Sequence, residues 1–331
     1  MTESNARFSV GAVSMTPIVV DRALGPDDGD TASVGGFFCD RLEHGGNRPQ
    51  DRDVLVVSSK VAAIFEGRQV RLDTVVPSRK ARALGRLYGK DPRKVQLVIE
   101  EGKVLLVIPL RWIMRIRSFR DMMAARAENP AAMDHGFGHV NSSAFVVNRH
   151  AAYLDEAGID YTNSPDGYVA MLPADPCATA QRIREAVQQR FSADIGVIIT
   201  DTVTCIGRVG SQDTAIGYAG MDPITRVTFS NDLFGTPRSG GIDVVIDSIA
   251  GMAGLVMGQT VERTPAVLVR GISYLPQRDD DGRTGMAQVA YPPGVKWRIN
   301  VLTVLATACF KGLNLLTFQP WRRARRSIRR Q

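Results

Sequence analysis

Two runs constrain this chain most: D-V-L-V-V-S at Asp53–Ser58 and I-G-V-I-I-T at Ile195–Thr200. Each is short and rich in β-branched residues, and each reads as a buried strand. The second runs straight into Asp201. Ala266–Val269 is a further strand, closed by Arg270-Gly271. Val95–Ile99 and Val104–Ile108 read as two more, with Glu101-Gly102 as the turn between them. Helices are expected over Arg79–Tyr88, capped by Ser78, and over Ala178–Phe191, opened by Asp175-Pro176. Val244–Met257 is a third, rich in small residues that permit close packing. Strands and helices mix without a regular βαβ rhythm, so the expected fold class is α+β rather than doubly wound α/β.

The length, 331 residues, allows two domains or one elaborate one, and 44% apolar with 23% charged residues is ordinary globular composition. The net charge of +7 misleads, because six of the positives are arginines at 322, 323, 325, 326, 329 and 330. The rest of the chain carries only +1, so a globally basic nucleic-acid binder is not indicated. Cys39, Cys177, Cys205 and Cys309 are too far apart for a zinc or disulfide framework. No secretory leader is read in Met1–Arg7, and a reducing cytoplasm is the expected compartment.

Two segments are unusual. Residues 109–134 form a basic amphipathic stretch with Arg111, Arg115 and Ser118 on one side and Trp112, Ile116, Phe119 and Met123 on another. Ile299–Phe318 is largely apolar, interrupted by Lys311 and Asn314, and followed by the arginines. A core or dimer helix and a membrane-surface anchor both fit that pattern.

No P-loop, nucleophile elbow or H-E-x-x-H is present. His135 and His139 are separated by residues that include Gly136 and Gly138, which disfavours a ligating helix face. What remains are carboxylates near strand ends. Asp201 with Thr202, and Asp160 with Asn163, offer hard oxygen ligands suited to magnesium or manganese holding phosphates. The same residues serve equally as turn or helix caps. Gln259 after Gly258 fits a plain helix stop, and Arg208 and Asp213 fit a mutual ion pair. Nothing near Cys205 points to a lowered thiol pKa.

Taken together, the segments resemble the coenzyme F420-0:L-glutamate (γ-glutamyl) ligases over most of residues 10–271. The resemblance rests on D-V-L-V-V-S-S-K at Asp53–Lys60, E-G-R at Glu66–Arg68, V-x-P-S at Val75–Ser78 and K-D-P-R at Lys90–Arg93. It continues through A-G-I-D-Y-T-N at Ala157–Asn163, L-P-A-D-P at Leu172–Pro176 and I-I-T-D-T at Ile198–Thr202. D-T-A-I-G-Y-A-G at Asp213–Gly220, L-V-M-G-Q at Leu255–Gln259 and L-V-R-G at Leu268–Gly271 complete it.

The resemblance implies a two-lobed α+β homodimer that uses GTP, or ATP, with Mg2+ or Mn2+, and K+ as a further ion. Such an enzyme activates a small-molecule carboxylate and joins it to an amino acid such as glutamate. Carried over by position, Asp160 and Asp201 would hold one metal, and Thr202 with Gln259 a second. Pro17, Ile18, Val19, Val20, Ser59, Asn163, Met257 and Gly258 would line the nucleotide. Arg208 and Asp213 join Asp160 and Asp201 as candidate catalytic residues. On this reading residues 1–275 are the catalytic region, with an insertion at about 109–140, and 276–331 are an extension.

Several positions depart from the family pattern. Ile64 stands where the family has a lysine directed at the nucleotide. Asp155-Glu156-Ala157-Gly158 stands in place of A-N-A-G, and Asp201–Arg208 keeps only the Asp, Thr and Arg of D-T-F-G-R-P-W-R. These changes suggest a ligase with an altered substrate. They leave as alternatives a non-catalytic nucleotide-binding regulatory paralogue, and an arginine tail that contacts membrane or nucleic acid.

Overall fold

The computed structural model describes residues 12–30, 32–133, 136, 143–205, 208–239, 241–278, 284–292, 294–295, 298 and 305. Residues 1–289 form one compact unit and 290–331 another. His135, His139, Cys309, the arginine tail and all of the 299–318 segment except Leu305 lie outside the described residues.

A five-stranded mixed sheet is the frame that carries the site. Its strands are β1 (Ser14–Ile18), β2 (Val54–Ser58), β8 (Gly196–Thr204), β9 (Ser211–Ala219) and β10 (Ala266–Arg270), in the order β1-β10-β2-β8-β9. β2 and β8 are parallel and every other pairing is antiparallel. Alternate residues of the same strands enter different cores, as the two-residue period of a strand requires. Leu55, Val57, Val197 and Ile199 pack with α1 (Val34–His44) and α7 (Pro176–Phe191). Val54, Val56, Ile198, Val267 and Val269 pack with α8 (Val245–Met257). Both faces are therefore covered, which is why these strands read as apolar runs.

A separate core holds the smaller elements. It joins Leu72, Val95, Val98, Phe145, Val147, Ile159 and Val169. Those residues come from α4 (Pro92–Glu101), β5 (Ala144–Arg149), β7 (Tyr168–Ala170) and the turns between. Packing with them are α3 (Arg79–Tyr88), β3 (Gln69–Arg71), which pairs with β7, and β4 (Val104–Ile108), which pairs with β5. β6 (Ala152–Asp155), also paired with β5, sends Ala152 and Leu154 into the first core. The whole is a mixed-sheet α+β fold, as the element pattern implied.

Three local expectations are corrected. Val95–Ile99 is not a strand but the middle of α4. Asp91 caps that helix by accepting the Arg93 N–H at 2.8 Å, and Pro92 occupies its first turn. Glu101-Gly102 therefore ends a helix instead of turning a hairpin, and β4 pairs with β5. The strand after Ile195 does not stop before Asp201; β8 continues to Thr204, with Asp201 opposite Thr214 and Thr202 opposite Asp213 on β9. The basic stretch at 109–134 is helical but broken, into α5 (Leu110–Ile113) and α6 (Arg117–Ala124). Trp112 and Ile116 are 69% and 55% exposed.

Candidate active site

The parallel pairing of β2 and β8 sets Ser58 beside Thr200, so the next residue on each segment emerges at the same place. There Ser59, the first residue of α2 (Ser59–Phe65), donates its hydroxyl to Asp201 Oδ1 at 2.7 Å. A register shift between Ile199 and Thr200 accompanies this point, and such irregularities re-aim side chains. From the second residue of α2, Lys60 Nζ reaches Asp160 Oδ2 at 2.8 Å and Thr162 Oγ1 at 3.2 Å, and it also donates to the Thr162 carbonyl. Asp160 Oδ1 accepts the Thr162 N–H at 3.0 Å, a local turn that fixes the carboxylate. Next in sequence, Asn163 in the left-handed region (φ 51°) donates to the Thr260 carbonyl at 2.9 Å.

A second polar cluster lies across β8 and β9. Thr202 Oγ1 is 2.8 Å from Asp213 Oδ1 and 3.1 Å from Gln259 Oε1, and Gln259 Nε2 is 3.3 Å from the same Asp213 oxygen. Two glycines permit the arrangement. A Cβ on Gly254 of α8 would lie 2.0 Å from Asp213 Oδ2, and Gly258 ends the helix at φ 68° where a Cβ would strike Glu262. Gln259 is thus both the residue after a helix stop and a member of the cluster. The expected alternative partner of Asp213, Arg208, is exposed and makes no ion pair with it.

Both clusters open into one cavity of about 1000 Å3, bordered by Ser59, Lys60, Asp160, Asp201, Thr202 and Asp213. Gln259 is on its wall too, as are Val20, Asn163, Met257 and Gly258. Pro17, Ile18 and Val19 are not: the first two belong to β1, paired to β10, and Val19 is 53% exposed. Arg208 likewise lies outside the lining. Ile64 gives the cavity an apolar wall. Cys205 is half-buried and outside it.

The two facing carboxylates are driven apart electrostatically. Burial, reinforced by the charge of Asp160, pushes the Asp201 carboxyl up to about 7 against the opposing Ser59 hydrogen bond and Lys60. Burial also acts to raise Asp160, but the Lys60 ammonium and the Thr162 hydrogen bonds outweigh it and hold that carboxyl below its ordinary value.

Among the described residues no three His, Cys, Asp or Glu side chains cluster as a metal cage. The donor set nevertheless fits a hard divalent ion: carboxylates of Asp160 and Asp201, with the hydroxyl, amide and carboxylate oxygens of Thr202, Gln259 and Asp213. Magnesium in phosphate sites commonly takes one or two protein carboxylates and completes its shell with water and phosphate. Raising of Asp201 by burial beside another carboxylate marks a place where a cation would be stabilising.

The motif reading missed Lys60, although it ends the S-S-K string. Only the packing of α2 against the 160–163 turn brings its ammonium to Asp160, across 100 positions of sequence.

Comparison with known proteins agrees with the residues assembled here. The sequence model of the F420-0:Gamma-glutamyl ligase family matches residues 30–271. Coenzyme F420:L-glutamate ligase of Methanopyrus kandleri is 31% identical over 276 residues, covering 83% of this chain and 94% of that protein. The proteins of the same name from Methanothermobacter thermautotrophicus and Archaeoglobus fulgidus are 30% and 33% identical, over 73% and 68% of this chain and 83% and 78% of their own. With the match spanning most of the chain and both polar clusters inside it, this protein belongs to the F420-0:gamma-glutamyl ligase family.

Proposed function

We propose that this chain is a divalent-metal- and nucleotide-dependent amide ligase, which activates a substrate carboxylate as an acyl phosphate and joins it to an amino acid amine. The observation that carries the reading is the convergence of Asp160, Asp201 and Lys60 on one cavity, with the Thr202–Asp213–Gln259 cluster on the same wall. When bound, divalent ions and a nucleoside triphosphate supply charge neutralisation and the phosphoryl group.

The chain's own residues do the rest. Asp160 and Asp201 would hold a first ion, and Thr202 with Gln259 a second. Lys60, bonded to Asp160 and Thr162, would add positive charge beside the phosphates, and Ser59 fixes the orientation of Asp201. Asn163 ties the 160–163 turn to the loop after α8, which keeps both walls in register. No protein nucleophile is required, in keeping with the lack of a nucleophile motif.

GTP is the expected nucleotide and ATP the alternative, with Mg2+ or Mn2+; K+ is the further ion in this reading. Glutamate-like amino acids are the expected amines. The sequence departs from the family pattern at Asp155, Glu156 and 203–207 while the donor residues are retained, which favours a changed carboxylate substrate. A homodimer is part of the proposal, and a cytoplasmic site of action with it. No described helix is long and apolar enough to cross a membrane.

Ile64 favours a second reading, a regulatory paralogue that binds nucleotide without turnover, because an apolar wall there removes one phosphate contact. Mass spectrometry of the full-length protein with nucleotide, Mn2+, pooled carboxylates and L-glutamate separates the two. An amide product that depends on nucleotide supports the ligase, whereas tight nucleotide binding with no product from any pooled acid supports the regulator.

A further inference from the structure

Buried lysines normally hydrogen-bond an acceptor, and among the described residues Lys94 Nζ has none within hydrogen-bond distance. It sits in the first turn of α4, 3% exposed, four residues after another buried lysine, Lys90. Lys90 is fully engaged: its Nζ is 2.8 Å from Glu156 Oε1 and donates to the Ser143 carbonyl. Glu156 Oε1 accepts the Phe145 N–H at 2.8 Å as well. The carboxylate is therefore neutralised and hydrogen-bonded without Lys94.

Lys94 Nζ lies 3.8 Å from Glu156 Oε2, beyond hydrogen-bond length, and 3.9 Å from the centre of the Tyr161 ring. An aromatic face attracts a cation but leaves its N–H donors without ordinary acceptors. A purely structural partner of Glu156 would not need to be a second ammonium, because an apolar side chain would fill the space without a desolvation cost. Lys94, Glu156 and Tyr161 all border the cavity that holds Asp160 and Asp201. Burial pulls the Lys94 ammonium down to about 8, against the attraction of Glu156, which is how an incompletely compensated cation behaves.

The backbone beside it is also unusual. Glu156, Ala157 and Gly158 have φ of 54°, 56° and 75°, three left-handed residues in succession. Such strain concentrates at ligand-binding positions. Glu156 is moreover one of the two positions, with Asp155, at which this chain departs from A-N-A-G.

We infer that Lys94 is a substrate-binding residue that pairs with an oxyanion, a carboxylate or phosphate oxygen carried by one of the organic substrates of the cavity. The inference rests on the ligase reading only in ascribing that oxyanion to a substrate. Tyr161 holds the ammonium against the wall and Glu156 biases its position, while the free N–H donors face the incoming anion.

The test is calorimetric titration of the full chain with L-glutamate and, separately, inorganic phosphate, using the wild type, Lys94→Met and Lys94→Gln. Mn2+ titration serves as the control for the Asp160–Asp201 donor set. At least one probe binds the wild type, and both variants weaken it about ten- to hundred-fold, the value of a charge-assisted hydrogen bond. Mn2+ affinity is unchanged and the melting temperature of Lys94→Met does not fall. Loss confined to glutamate identifies a carboxylate as the partner, and loss confined to phosphate identifies a phosphoryl group.

Equal affinity in wild type and variants overturns the inference, as does a wild type that binds neither probe. Variants that melt lower and lose Mn2+ binding overturn it too, because Lys94 would then be structural. Binding is read without turnover, so a failed ligase assay with Lys94-dependent binding condemns only the ligase reading. Turnover without such binding condemns only the role of Lys94.

Discussion

Lys60 Nζ lies 2.8 Å from Asp160 Oδ2 and thereby ties the first turn of α2 to the 160–163 turn. Its partner in the other direction, Ser59, binds Asp201. Two consecutive residues thus address two carboxylates from distant parts of the chain, and the position of α2 sets the spacing of the donor set.

Lys60→Met removes the ammonium paired with Asp160 on the cavity wall, which the proposed function directs at the phosphates. GTP affinity in the presence of Mn2+ falls about ten- to hundred-fold by calorimetry, as expected for one lost charge-assisted contact. Stability changes little, because the Asp160 carboxylate keeps the Thr162 N–H and remains solvent-accessible.

Gly254→Ala places a methyl group 2.0 Å from Asp213 Oδ2, so the carboxylate or the helix must shift. Overpacking of this kind costs about 1–3 kcal/mol in urea unfolding. Because Asp213 positions Thr202 and Gln259, Mn2+ affinity falls with it, about tenfold or more. A variant with unchanged metal binding would show that Asp213 does not orient those ligands.

Glu156→Gln breaks the buried pair with Lys90, whose side chains are 8% and 2% exposed. Gln keeps an acceptor for the Phe145 N–H but leaves the Lys90 ammonium without a counter-charge. The expected loss is about 3 kcal/mol in denaturant unfolding. Glu156→Gln with wild-type stability would mean that the Ser143 carbonyl alone satisfies Lys90.

His150 reports on acid stability. Burial, and then the neighbouring Arg149 charge, pull its imidazole down to about 4 from 6.5. A depressed pKa means that the unfolded chain takes up the proton first. The stabilisation is full above pH 6.5 and is lost as pH falls towards 4, by up to roughly 3 kcal/mol. Asn tolerates the left-handed backbone of this residue (φ 49°) and does not titrate, so His150→Asn flattens the unfolding free energy between pH 6.5 and 4 relative to wild type.

Elements whose signals are local were legible in the sequence. Asp53–Ser58 and Ala266–Val269 become strands because both sheet faces are covered, and Ser78 and Asp175 cap helices as their side chains predict. Val95–Ile99 failed because its β-branched residues are only half of the signal: Asp91-Pro92 starts a helix, and Val95 and Val98, three apart, face one core. The extent of β8 past Asp201 was hidden because its continuous apolar run ends at Ile199 and Asp201 and Thr202 border the cavity. Asp160, Asp201, Thr202, Asp213 and Gln259 were found through motif strings. Lys60, Lys94 and Glu156 matter through contacts between distant segments, which no local pattern encodes.

The most direct measurement is phosphate release by full-length protein from GTP and from ATP with Mg2+ or Mn2+, supplied with pooled small carboxylates and amino acids, beside the Asp201→Asn variant. The account predicts release that needs both a carboxylate and an amine, and that the variant loses because its neutral amide withdraws a negative charge from the ion site. Release that Asp201→Asn retains in full would contradict the assignment of Asp201 to the metal site and, with it, the proposed mechanism.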